Sequence, residues 1–198
     1  MYKICKTEKS KQRQKLIEKK FLKLLKNKYY EDITVSELCI LANVPRKAFY
    51  RYFETKEDVL NALLDHSLQE YEAYSAVNKS GQRILKVELT DYFNFWTTEH
   101  MKELLKALKK SNLISKIYYH SKNMVESGFV NTNRFLPEES SWRQKQIFNF
   151  AIMGLVSIML DWFDGGCVQS SEEMASIATR MLTTPLFPKL EELGIEKE

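Results

Sequence analysis

Thr34-Val35-Ser36-Glu37-Leu38-Cys39-Ile40-Leu41-Ala42-Asn43-Val44-Pro45-Arg46-Lys47-Ala48-Phe49-Tyr50-Arg51-Tyr52-Phe53-Glu54-Thr55-Lys56-Glu57-Asp58 is the stretch on which the fold turns. Thr34 and Glu37 have the T-x-x-E spacing of a capping box, in which each side chain serves the other's backbone N–H. The helix they open is short, Val35–Ala42, with Leu38, Leu41 and Ala42 on its inner face. It stops at Asn43, which tolerates the left-handed conformation of a tight turn. Val44 points inward. Pro45 fits the first turn of a second helix, 45–54, where a missing N–H costs nothing. Phe49 and Phe53 give that helix its buried face, and Thr55-Lys56-Glu57-Asp58 is a second capping signature, opening a long helix through about Val77. Two short helices around a tight turn have the size of a helix-turn-helix. A helix about 10–12 Å across fits the major groove of B-DNA.

The same periodicity runs through the rest of the chain. Ile17, Phe21, Leu24 and Leu25 predict a helix over 9–27. Leu85, Leu89, Tyr92, Phe93 and Trp96 mark another, Met101, Leu104, Leu105 and Leu108 a shorter one, and 113–127 a less regular one. A loop is expected over 128–140, a long apolar helix over 142–163 ending at Gly165-Gly166, and a last helix opened by Ser170-Ser171-Glu172-Glu173 and ended by Pro185 and Pro188. The expected fold is therefore all-α, with about nine helices: a three-helix N-terminal module over 1–58 and a helical body over 59–198. Six Gly and four Pro in 198 residues are too few for a turn-rich β fold.

Charge divides the chain in the same place. Residues 1–58 carry 15 basic and 8 acidic side chains; residues 59–198 carry 15 and 18. A basic module on a mildly acidic body suits a polyanionic partner, although a solvated lysine-rich helix face would read the same way. The three cysteines, Cys5, Cys39 and Cys167, are widely spaced and include no C-x-x-C, which argues against a disulfide framework or a cysteine zinc site and for a reducing, cytoplasmic compartment. The charged N-terminus lacks a signal-peptide core, and the longest uncharged run, 146–160, is short for a membrane span. No membrane partner is expected.

The residues off the Val44/Phe49/Phe53 face are Pro45, Arg46, Lys47, Tyr50 and Arg51. Arg and Lys can donate to guanine or to phosphate, and Tyr50 can offer its hydroxyl to a phosphate. Lys56 sits in the first turn of the next helix, where N–H groups and the dipole favour an anion. The alternative is a surface helical hairpin with scattered charges.

Over about residues 10–62 this pattern resembles the DNA-binding module of TetR-family transcriptional regulators. The shared features are a Thr-led helix, an Ala-Asn-Val turn where the family has Ala-Gly-Val, the Tyr50-x-x-Phe53 recognition helix and Lys56 beyond it. Pro45 replaces a Ser or Thr common in the family, which takes a hydroxyl away from the backbone-contacting position. The resemblance implies a homodimer on a palindromic duplex operator. It assigns phosphate contacts to Tyr50 and Lys56, with Ser36 and Tyr52 beside them, and base or backbone contacts to Arg46 and Lys47. Ala48 stands where its methyl would meet a thymine. It further implies a repressor released by a small-molecule effector bound in the body.

Residues 148–166 with Ser-Ser-Glu-Glu-Met resemble the C-terminal helix pair of one group of these regulators, which forms a four-helix dimer interface. Ala151, Gly154, Ile158, Trp162, Ile177 and Met181 are the expected interface residues. Gly154 and Ala151 permit close helix approach, and the apolar residues of this segment surround too much of the helix for one core face. The aromatic and Met content of the body suits an apolar, aromatic or cationic effector, with Phe93, Trp96, Tyr118, Tyr119, Met124, Phe150 and Met153 as candidate lining. Taken one by one, each of these reads more readily as core. His100 and His120 are too far apart in sequence for a metal pair, and no H-x-x-x-H occurs. No metal or cofactor is expected. There is no G-x-S-x-G and no dinucleotide or phosphate loop, so no enzyme is expected either. The other reading of function is a helical protein-interaction module, an activator or adaptor whose basic N-terminus is incidental. The cluster of Arg46, Lys47, Tyr50 and Arg51 speaks against it.

Overall fold

The computed structural model describes residues 2–77, 84–127 and 139–183, and among these residues there is helix but no strand. In chain order the helices are α1 (Glu8–Asn27), α2 (Val35–Ala42), α3 (Arg46–Phe49), α4 (Lys56–Val77), α5 (Leu85–Trp96), α6 (Glu99–Lys110), α7 (Ser115–Glu126), α8 (Ser141–Asp164) and α9 (Ser171–Thr183). Most of the expected loop over 128–140, and Pro185 and Pro188, lie outside the described residues.

The helix starts are set by the expected caps, with one difference. Thr34 accepts from the Glu37 N–H at 3.2 Å. The Glu37 carboxylate does not reach back but takes the Lys28 ammonium at 2.7 Å. A cation at the end of α1 outcompetes a backbone N–H for it, since charge-assisted bonds are roughly twice as strong as neutral ones. At α4 the box is reciprocal: Thr55 Oγ1 accepts from the Asp58 N–H at 3.1 Å, and Asp58 Oδ2 accepts from the N–H groups of Thr55 and Glu54 at 3.2 and 3.0 Å. At α9 Ser170 and Glu173 exchange bonds of 3.2 and 2.9 Å in the same way.

One buried cluster runs through the described chain. Ile17, Phe21 and Leu25 of α1 meet Leu38, Phe49 and Phe53 of the helix-turn-helix and Leu60 and Leu64 of α4; Phe93, Met101, Leu104 and Trp162 continue it into the body. α1 packs on α2, α4 and α6; α4 on α5 and α7; α5 on α9; α7 on α8. Helix α4 therefore touches both the N-terminal three-helix module and the body, and the expected boundary after Asp58 falls inside it.

Helix α8 extends beyond the uncharged run 146–160 at both ends. At 24 residues it is long and apolar enough, by length and composition, to cross a membrane. One face, Leu155, Val156, Met159 and Trp162, is buried in the protomer.

Lys56 joins the start of α4 to the segment between α1 and α2. Its ammonium donates to the carbonyls of Tyr30, Glu31 and Ile33 at 2.7, 2.9 and 3.0 Å and lies 4.5 Å from the Tyr30 ring centroid. An ammonium has three protons, and all three are used. Lys56→Met keeps the stem and strands those carbonyls, so it should lower unfolding stability by about 1–3 kcal/mol in denaturant titration.

Candidate nucleic-acid interface

The turn of the helix-turn-helix is made by Asn43, at φ 51° and ψ 50°, with its N–H on the carbonyls of Cys39 and Ile40. Val44 adds a bond from its N–H to the Cys39 carbonyl at 3.0 Å. This reversal buries Val44, Phe49 and Phe53 under α1 and α4. With those three fixed inward, Pro45, Arg46, Lys47, Tyr50 and Arg51 are exposed, Ala48 and Tyr52 are half-buried, and Ser36 is exposed on α2.

The recognition element is shorter than the sequence suggests. Pro45 is the N-cap, at ψ 143°, and the α-helix itself is only Arg46–Phe49. Beyond Phe49 the chain closes in turns, with N–H groups of Arg51 and Tyr52 on the carbonyls of Ala48 and Phe49 at 3.2 and 2.9 Å. The groups that would extend the helix are taken elsewhere. Asp58 holds the N–H of Glu54, and Lys3 reaches the carbonyls of both Tyr50 and Tyr52.

On the exposed face the Arg46 guanidinium donates to the Tyr50 hydroxyl at 3.1 Å and lies 6.0 Å from that ring's centroid. The pair presents a fork of donors beside a phenol hydroxyl. Lys47 and Arg51 extend the same positive surface. This face can neutralise phosphates and offer donors to base edges. The Lys56 ammonium is not part of it: the geometry turns it inward onto the α1–α2 loop, so the phosphate role that the resemblance assigns to it has no free donor there.

A residue that carries no sign of its role in the sequence is Lys3. Its N–H bonds the Tyr52 carbonyl at 3.0 Å, its ammonium lies 3.4 Å from the Tyr50 carbonyl, and its own carbonyl accepts from Gln14 at 3.2 Å. The arm ahead of α1 thus lies along the recognition element. An arm with no hydrophobic period carries no sequence signal of where it docks.

In the body, the expected pocket residues do not converge. Phe93 and Trp96 are close-packed core, with Phe93 edge-on to Trp162 at 5.4 Å. Tyr118, Met124 and Met153 are half-buried, whereas Tyr119 and Phe150 project outward at 60% and 78% exposure. Trp162 likewise differs from expectation: it is buried inside the protomer, and its indole N–H donates to the Gln169 carbonyl at 3.1 Å. Register explains this, because 155, 159 and 162 fall on one face of α8 and 147, 150 and 154 on an adjacent one, about a third of a turn away. Ala151, Gly154 and Ile158 are half-buried, and Ile177 and Met181 are exposed on α9. Among the described residues no group of His, Cys, Asp and Glu is arranged to hold a metal ion.

Comparison with known proteins agrees with this geometry. The family described as "Bacterial regulatory proteins, tetR family" matches residues 22–63, and the TetR_C_8 family, "Transcriptional regulator C-terminal region", matches residues 89–184. The HTH-type dhaKLM operon transcriptional activator DhaS of Lactococcus lactis subsp. lactis (strain IL1403) is 33% identical over 57 residues, which are 29% of this chain and 30% of that protein. The chain thus spans less than a third of the length of that curated relative. Two solved structures share the fold over nearly the whole chain. The dihydroxyacetone kinase operon activator DhaS superposes at a TM-score of 0.55 with 18% identity, covering 94% of this chain and 98% of that one. The fatty acid degradation regulator FadR from Bacillus halodurans superposes at 0.58 with 16% identity, covering 92% and 98%. With its helix-turn-helix and its C-terminal region each matched, the chain belongs to the TetR family of transcriptional regulators.

Proposed function

We propose that the protein is a homodimeric repressor that binds a palindromic operator through Arg46, Lys47, Tyr50 and Arg51 of each protomer and is released by a small-molecule effector. The carrying observation is the exposed Arg46–Tyr50 pair with Lys47 and Arg51 on one face, above an apolar anchor of Val44, Phe49 and Phe53. Two such faces read one side of a duplex when their half-sites lie about 34–36 Å apart.

Dimerisation is supported by apolar surface that the protomer leaves uncovered. Trp142 is 68% exposed, and Ile147 and Phe150 of α8 and Ile177, Met181 and Leu182 of α9 are exposed too. Exposed apolar groups in such number mark a surface meant for contact. A Cβ on Gly154 would meet nothing within 4 Å among the described residues, which leaves space there for a second copy. Effector binding is supported by the Tyr92 hydroxyl. It is buried beside Tyr71 and Trp96 without a hydrogen bond of normal geometry, and burial pushes its pKa up. Such a group costs about 1–3 kcal/mol unless something supplies a partner.

A second reading is activation of transcription through contact with a partner protein. It is favoured by the name of the curated relative, a transcriptional activator. The exposed α8 and α9 side chains would then meet that protein rather than a second copy.

Selection from a random duplex library at about 150 mM salt, a concentration at which phosphate contacts are already weakened, should recover a palindrome with half-sites one helical turn apart. Recovery of unenriched duplex would favour the partner-protein reading. On the recovered site, Lys47→Ala should lower the salt slope by about 0.9 for each phosphate left without its ammonium, hence about 2 for a dimer. Gly154→Trp should yield a monomer in sedimentation; an intact dimer would take Gly154 out of the interface.

A further inference from the structure

Two carboxylates on α4, Glu57 and Asp65, are each shared between the DNA-binding module and the body. Glu57 accepts from the Tyr30 hydroxyl on Oε2, at 2.6 Å, and from the Lys116 ammonium on Oε1. Asp65 accepts from the Tyr2 hydroxyl on Oδ2, at 2.9 Å, and faces His120 Nδ1 with Oδ1, at 2.6 Å. Tyr2 lies in the arm and Tyr30 in the α1–α2 loop, so both belong to the DNA-binding side. Lys116 and His120 both lie on α7, one turn apart. In each case one oxygen is held from one side of the molecule and the other oxygen from the other side.

The other ties across this boundary do not share an acceptor in this way. Lys26 pairs with Glu103, the Lys110 ammonium meets the Lys26 carbonyl at 3.3 Å, and the Tyr30 N–H meets Ser111 Oγ at 3.0 Å. The pair of His66 and Glu18 joins α1 to α4 but does not reach the body.

A shared carboxylate behaves differently from a single ion pair. It is a planar group on a rotatable stem, and a donor on one oxygen fixes the direction of the other. Removing the α7 partner frees that rotation, and the tyrosine loses a positioned acceptor. His120 is only 2% exposed, and its Nε2 lies 3.3 Å from Asn61 Oδ1, so its ring is locked against α4 at both nitrogens. For Glu57, burial works to raise the pKa, but the Lys116 and Tyr30 bonds outweigh it and hold the carboxyl below its ordinary range.

We propose that Tyr2, Tyr30, Lys116 and His120 are positioning residues that set the orientation of the DNA-binding module on the body, acting through the shared carboxylates of Glu57 and Asp65. None of them touches the exposed Arg46–Tyr50 face. A displacement of α7 reaches the recognition element by way of these two carboxylates. The inference rests on the proposed DNA binding for one readout and is independent of it for another.

The test uses the full chain. Tyr30→Phe, Lys116→Met, Tyr2→Phe and His120→Gln are each expected to weaken binding to the selected operator by about threefold or more. The salt slope should stay unchanged, because none of these side chains meets a phosphate. The double variant Tyr30→Phe/Lys116→Met should bind no worse than the weaker single, since both act on Glu57. Tyr30→Phe/His120→Gln should show the product of its singles, since they act on different carboxylates. Lys116→Arg should restore binding, and Lys109→Ala, which breaks only an exposed pair with Asp164, should leave it unchanged. Affinities unmoved by the single variants, or a multiplicative Tyr30/Lys116 double, would overturn the proposal. Without DNA, Lys116→Met should speed amide exchange over residues 30–53; faster exchange confined to α4 and α7 would overturn it as well. A wild type that retains no duplex would sink the proposed function instead, and amide exchange alone would then decide the positioning role.

Discussion

The Lys56 ammonium on the carbonyls of Tyr30, Glu31 and Ile33 is the constraint from which the arrangement of the DNA-binding module follows. Those carbonyls belong to the segment between α1 and α2. Lys56 is the first residue of α4. One side chain therefore closes the chain from α1 to α4 around the helix-turn-helix, and the helices between them must pack within that loop. The Thr55–Asp58 box ends the recognition segment one residue earlier. The recognition element is short because its continuation is claimed by this join. Its direction relative to α4 is fixed by Phe49 and Phe53, both fully buried against the same helices.

Much of this is legible in the residues. Thr34, Asn43, Thr55 and Ser170 act where their side-chain chemistry places them, because a cap or a left-handed turn depends on residues at most four positions apart. The starts of α2, α4 and α9 and the end of α2 follow from these local signals. The exposed Arg46, Lys47, Tyr50 and Arg51 are legible too, as the complement of an i, i+4 apolar face. What the sequence conceals depends on distant partners. Glu37 turns to Lys28, Lys56 turns to the α1–α2 loop, and Lys3 docks on Tyr50 and Tyr52. Nothing in the spacing of a charged side chain says which of several acceptors it will meet. Trp162 sits in the protomer core rather than at an interface for a related reason. Helix α8 is apolar on more than one face, so periodicity alone does not say which face the protomer buries.

The two faces of α8 divide the labour of the body. Leu155, Val156, Met159 and Trp162 join the common core, where Trp162 is braced by Phe93 on α5 and by the Gln169 carbonyl. Ile147, Phe150 and Gly154 stay outside it. Covering an open apolar face is favourable by roughly 25 cal/mol per Å² of apolar area removed from water. In the proposed homodimer, the second copy that covers α8 would also set the distance between the two recognition elements.

The docking of the N-terminal arm has a practical corollary. The Lys3 backbone is held on the Tyr52 carbonyl and the Tyr2 hydroxyl on Asp65, so Tyr2 and Lys3 lie beside the recognition element and α4. An affinity tag or fluorescent fusion placed at that end would be delivered to the DNA-facing side of the molecule. A polyhistidine or acidic tag there would change the local charge seen by an approaching duplex and compete with Lys3 for its seat. A tag fused ahead of Tyr2 therefore needs to be removed before any binding is measured.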